Sequence, residues 1–281
     1  MQHRKLDMGA AWTQATGLMS ANRDTISAVA GLFFFLPALA SSLLLPGLAN
    51  PPQPAPGADP EVAFRAMLDQ ISTTYAENWP LLLTLTVVQV IGSMSLFALL
   101  TDRGNPTVGE ALRTGLRSLP SYLAAQIVTV IGASLAIGIP TGVLSAFGGV
   151  AVGVLALLVA LVAILYVMVK LSLTAPVIAI ESQLNPFAAL ARSWQLTKGN
   201  SLRILLFVLL LVVVFGIIVL LVGGTLGLVL SAMGETVALI GGSVIDALTN
   251  ALLAVLFLVV TVAIHRQLAG PSPEREAALF E

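Results

Sequence analysis

Three polar side chains fall inside long apolar runs and are the first candidates for chemistry. Lys170 ends one run, and Asp246 and Asn250 stand one helical turn apart in another. Ionisable groups in such surroundings are costly and often functional. Asp246 and Asn250 have the types to bind a cation or relay protons. The alternative is structural: Lys170 snorkels to a headgroup layer, Asp246 reaches the outer interface, and Asn250 bonds a neighbouring helix. Gln89, Gln126, Ser93 and Thr86 fit helix–helix hydrogen bonds better than a solute path. Asp246 has no evident ionisable partner on its side, so general acid–base catalysis, which needs paired titratable groups, is not expected.

The rest of the composition narrows the chemistry further. The chain has 281 residues and no cysteine, so thiol catalysis, disulfides and cysteine–metal clusters are excluded. The two histidines, His3 and His265, lie near opposite ends, so a histidine metal centre or triad is not expected. No Walker loop, dinucleotide fingerprint or HExxH motif occurs. No cofactor is expected. A net charge of −1 gives no field for nucleic acid, and none is expected as a partner.

The elements that hold these residues are membrane spans. The chain is 57% hydrophobic and 10% charged, against the roughly 25% charged residues of a soluble domain. A run of about 20 apolar residues crosses the hydrocarbon core as a helix. Six such runs are expected: Ile26–Leu45, Pro80–Leu100, Tyr122–Leu144, Gly149–Leu171, Leu202–Leu230 with a weak point at Gly223-Gly224, and Val244–Ile264. The fold class is therefore all-α, a polytopic membrane protein of six transmembrane helices in three hairpins. A 20-residue first run preceded by 25 residues is too long and too far in for a cleavable signal peptide.

Basic residues set the orientation. Arg4, Lys5, Arg23, Arg103, Arg113, Arg117, Lys170, Arg192, Lys198, Arg203, Arg266 and Arg275 fall on one side, and Arg65 alone on the other. Both termini are accordingly expected in the cytoplasm. The domain layout is a cytoplasmic amphipathic segment 1–25, a membrane domain 26–265 and a disordered cytoplasmic tail 266–281. The membrane domain has an outside loop 46–79 and inside loops 101–120 and 172–201.

The outside loop opens with a proline-rich spacer over 50–60. Phe64, Leu68, Ile71 and Tyr75 then recur at helical spacing, predicting an amphipathic helix on the outer membrane surface. Inside, Asn185-Pro186 opens a short amphipathic helix with Phe187, Leu190, Ala191 and Trp194 on its apolar face, ended by Lys198-Gly199. Asn105-Pro106 opens a similar one, with Val108, Ala111, Leu112, Gly115, Leu116 and Leu119 apolar and Arg113 and Arg117 basic. Met8, Ala11, Trp12, Ala15 and Met19 give a weaker third copy. The chain thus reads as three units, each an in-plane helix followed by a hairpin. Gly138-x-x-x-Gly142, Gly149-x-x-x-Gly153 and Gly223-x-x-x-Gly227 fit close helix packing, a weak signal in a chain with 24 glycines.

One segment carries a family signature. Glu181 is followed by Ala189, Leu190, Arg192, Ser193, Trp194, Leu196, Thr197, Lys198, Gly199 and Asn200. This resembles the element of the glycerophosphoryl diester phosphodiesterase membrane-domain family, bacterial inner-membrane proteins of poorly known function. The family name comes from relatives fused to a soluble phosphodiesterase barrel. Such a barrel needs roughly 250 residues and a metal cluster, and no segment here is available for it. No phosphodiesterase activity is expected.

Two functions compete. The first is a non-enzymatic module of the bacterial inner membrane that organises lipids or assists a protein partner, alone or as a homo-oligomer. Arg113, Arg117, Arg192, Lys198 and Arg203 are its candidate contacts to lipid headgroups. The second is a small-solute or ion transporter using Lys170, Asp246 and Asn250.

Overall fold

The computed structural model describes residues 5–45, 59–101 and 106–270. Of the described residues 90% are helical and none is in a strand. The helices are α1 (Met8–Ala21), α2 (Arg23–Leu44), α3 (Pro60–Leu99), α4 (Val108–Phe147), α5 (Gly149–Leu171), α6 (Thr174–Ile180), α7 (Pro186–Leu196), α8 (Ser201–Ala232) and α9 (Glu235–Ala269). Six helical stretches are long and apolar enough to cross a bilayer, α5 continuing through α6 to Ile180 as one of them. The protein is a multi-pass membrane protein. Much of its apolar surface faces outward, as a lipid-embedded chain requires: Val150 is 86% exposed and Leu220 74%.

Prolines within the spans are absorbed by the backbone. Pro37 follows a π-helical turn at Gly31–Phe35, and Pro140 follows one at Ser134–Gly138. A proline cannot donate to the carbonyl four residues back, and its ring crowds that carbonyl. The π-turn relieves both, with Leu36 N–H donating to Gly31 O and Ile139 N–H to Ser134 O, five residues back.

Several expected boundaries move. The fourth span runs Gly149–Leu171 as expected. The amphipathic stretch 61–77 is not a separate helix but continues into the second span across a kink at Asn78 (φ −114°, ψ 16°). The segment after 107 is likewise no independent helix: α4 runs through Pro120 without a break. Membrane helices tolerate such a proline because neighbouring groups re-satisfy the freed carbonyl. Gly223-Gly224 is no weak point, since α8 is continuous there. The last helix begins at Glu235, after a tight turn in which Gly234 has φ +109°. Asn105, most of the proline-rich spacer and the tail beyond 270 lie outside the described residues.

The chain forms two compact units. One comprises residues 1–21, 94–211 and 258–281. Its buried side chains include Phe97, Leu100, Leu173, Ile178, Ile204 and Val259. The other comprises residues 22–93 and 212–257. In it a Cβ built on Gly92 would stand 2.3 Å from Phe33 Cβ, so the π-turn of α2 and the backbone of α3 approach as closely as glycine permits. Gly241 is tight against Leu230 in the same way. The GxxxG pairs behave otherwise. A Cβ on Gly138, Gly142, Gly223 or Gly227 would meet nothing within 4 Å, so those two spacings mark no helix contact; in the third, a Cβ on Gly153 would lie 3.5 Å from Ser145 Cα, an ordinary contact.

Candidate functional site

The family motif folds into a junction in the first unit. Asn185 caps α7, its side-chain oxygen accepting from Phe187 N–H (3.0 Å) and Ala188 N–H (3.3 Å). Pro186 takes the first helical position, where its missing N–H costs nothing. The helix stops at Thr197, and Gly199 turns the chain with φ +80°.

Phe187 and Trp194 of the expected apolar face point outward, and α7 packs by another side. Ala189, Ser193, Leu196 and Thr197 are buried, while Phe187 is 66% exposed and Trp194 41%. Against lipid, apolar side chains gain nothing by turning inward, whereas small residues and hydroxyls let helices approach and bond. Ser193 Oγ donates to Lys170 O (2.9 Å) and accepts from Leu173 N–H (3.2 Å). Thr197 Oγ1 lies 3.2 Å from the same carbonyl. The two hydroxyls thus satisfy the C-terminal end of α5, whose last carbonyls have no partner within their own helix. The buried face of α4 is similarly small, with Ala111, Gly115 and Ser118 inward and Val108 and Leu116 exposed.

Glu181 binds two cationic or polar partners at once. Its Oε2 accepts from Arg192 Nε (3.1 Å), and its Oε1 lies 3.0 Å from His265 Nε2 on α9. Burial raises the Glu181 carboxyl, but hydrogen bonds from His265 and Arg192, with their charges, outweigh it and hold the group below the ordinary carboxylate range. His265 itself is buried, and its Nδ1 is enclosed without a hydrogen-bond partner.

Asn200 of the motif, with Arg203, Gln267 and Arg266 outside it, ties down segments near the chain ends. Asn200 Oδ1 accepts from Leu6 N–H (2.9 Å), and Arg203 Nη1 donates to Leu6 O (3.2 Å). Gln267 and Asp7 exchange side-chain and backbone bonds at 3.1 and 3.2 Å. Arg266 Nη2 donates to Leu100 O (2.5 Å), at the end of α3.

Lys170 is buried rather than displayed. Its ammonium lies 5.5 Å from the Tyr166 ring centre and 5.4 Å from that of Trp194. The two rings meet edge to face at 5.7 Å.

The expected sites therefore separate. The junction unites Lys170, Glu181, Arg192, Ser193, Trp194, Lys198, Gly199, Asn200 and Arg203 in the first unit, where Arg113 and Arg117 are also exposed on α4. Asp246 and Asn250 belong to the second unit. They line a polar cleft of about 310 Å³ with Ser41, Ser42 and Gln89. Thr86, Ser93 and Gln126 do not bridge helices as expected: each bonds within its own helix, to Leu82 O, Gln89 O and the Tyr122 hydroxyl. Sequence reasoning missed His265, Tyr166 and Arg266. The only available signal was that one of two histidines ends the last apolar run.

As chemistry, the junction offers a shared carboxylate and a cluster of satisfied hydroxyls. No group of three metal-ligating side chains exists among the described residues. No curated protein and no solved structure matches the chain. The likeness carried by Glu181 and the Arg192–Asn200 segment is borne out, since residues 136–270 match the family described as the membrane domain of glycerophosphoryl diester phosphodiesterase.

Proposed function

We propose that this multi-pass membrane protein is a non-enzymatic module of the bacterial inner membrane, with both termini cytoplasmic, that organises lipids or assists a protein partner. One observation carries this reading. The polar side chains of the motif and its neighbours bond to backbone groups and to each other: Ser193 and Thr197 at α5, Asn200 and Arg203 at Leu6, and Glu181 between Arg192 and His265. Groups used in this way build a rigid platform at one end of the unit and leave Arg113, Arg117 and Lys198 exposed around it. Basic residues at such a depth attract anionic headgroups, each worth about 1 kcal/mol.

Native mass spectrometry of the protein from mild detergent tests the reading. Retained anionic lipid, a retained protein or a homo-oligomer is the expected result. A bare monomer that hydrolyses glycerophosphodiesters above an empty-vector control overturns it. Reporter fusions at residues 60 and 190 test the orientation, and a cytoplasmic residue 60 reverses it.

The polar cleft favours a second reading, transport of a small solute or ion. Asp246, Asn250, Gln89, Ser41 and Ser42 place oxygen ligands around one opening inside candidate spans. Proton or cation flux into liposomes that vanishes in Asp246→Asn would establish it over the module reading.

A further inference from the structure

We propose that Lys170, Lys198 and the Trp194 ring form a binding site for the phosphate of an anionic phospholipid. The inference rests on the lipid-binding reading above and gives it a place.

Lys170 is 4% exposed, in the last turn of α5. A buried cation requires a counter-charge. Among the described residues no carboxylate lies within ion-pair distance of its ammonium. The nearby acid, Glu181, is engaged by Arg192 and His265. Lys198 directly follows Thr197, whose hydroxyl lies 3.2 Å from Lys170 O, so a second lysine belongs to the same corner. Two aromatic faces offset part of the desolvation, but a buried ammonium with a second lysine at the same corner still calls for an anion from outside the chain.

The surroundings specify a lipid rather than a free ion. Trp194 and Tyr166 are 41% and 49% exposed beside the buried ammonium. Tryptophan and tyrosine of this kind settle at headgroup depth. From Lys170, the same face of α5 runs back through Tyr166, Val162 and Val159, all exposed and spaced by four, four and three residues. It offers an apolar track for acyl chains leading away from the two charges. The hydroxyl bonds from Ser193 and Thr197 to Lys170 O hold α7 against α5, so the Trp194 ring and the ammonium are positioned together before any ligand arrives.

Tryptophan fluorescence tests the site in the full chain. Replacing Trp12 and Trp79 by phenylalanine leaves Trp194 as the single reporter. Phosphatidylglycerol with brominated chains should quench it at a concentration about tenfold lower than brominated phosphatidylcholine does. Lys198→Gln and Lys170→Gln should remove that preference, Lys170→Arg should keep it, and the exposed Arg23→Gln should leave it unchanged. Lys198 is exposed, so its variant reports even where Lys170→Gln fails to fold. Equal quenching by both lipids, or an unaltered preference in Lys198→Gln, overturns the site. Relief of quenching by inorganic phosphate would assign the lysines to a soluble phosphate and also overturn it. If native mass spectra of Lys198→Gln still show bound anionic lipid, the lipid reading stands with its site elsewhere; if the unaltered chain retains none, that reading falls with the site.

Discussion

His265 Nε2 lies 3.0 Å from Glu181 Oε1, although 84 residues separate them. The contact joins the end of the last long helix to the acid that opens the family motif. Glu181 also holds Arg192, 11 residues on. One carboxylate therefore fixes α7 and α9 to the chain that leaves α6, and replacing it tests the junction most directly.

Glu181→Gln keeps the side chain's size and removes its charge. The buried His265 limb should account for most of the loss, and the Arg192 limb, with a side chain 39% exposed, for less because solvent screens it. The expected cost is about 2 kcal/mol, read as a lowered unfolding midpoint in mild detergent. An unchanged midpoint would remove Glu181 from the centre of the junction.

The same carboxylate gives a pH dependence of known sign. Its folded pKa is below the ordinary value of 4.5. Its contribution to stability is therefore complete above that ordinary value. It is lost as pH falls from there through the lower folded value. The stability difference between the unaltered chain and Glu181→Gln should shrink across that acidic window. A difference that grows across that window would contradict the assignment.

Ser193 serves two backbone groups, whereas Thr197 Oγ1 shares its contact to Lys170 O with a bond to Ser193 O in its own helix (3.0 Å). Ser193→Ala leaves a buried carbonyl and a buried N–H short of a partner and should cost about 2 kcal/mol. Thr197→Val keeps shape and should cost about half as much. Unfolding midpoints rank the two, and equal losses would mean that the carbonyl contact of Thr197 matters as much as both bonds of Ser193.

What could be read beforehand divides along physical lines. Membrane spans follow from continuous apolarity, so Gly149–Leu171 emerged with both ends correct. The start of α9 did not, because Gly241-Gly242 resembles a loop while the backbone there is helical. Pro120 and Pro80 read as boundaries, yet helices continue through both, one smoothly and one across a kink. The cap at Asn185 and the stop at Gly199 are local chemistry and were legible. Phe187 and Trp194 of α7 point outward, but the side by which it packs was not legible, because Ser193 and Thr197 follow no apolar pattern. The residues of the signature stood out, but the pairing of Glu181 with His265 depends on tertiary structure that no spacing encodes.

Glycine substitutions separate true helix contacts from chance spacing. A methyl group at Gly92 would overlap Phe33 Cβ at 2.3 Å and Cγ at 2.9 Å. Phe33 belongs to the π-turn before Pro37, where the backbone is already displaced, so it has little room to retreat. Gly92→Ala gains about 1 kcal/mol of helix propensity but should lose about 1–3 kcal/mol to overpacking, a net destabilisation. Gly142→Ala meets nothing within 4 Å and should gain the propensity alone. The two substitutions should thus shift the unfolding midpoint in opposite directions, although it is Gly142 that belongs to a GxxxG spacing. Shifts of the same sign would mean that α2 and α3 do not approach at Gly92.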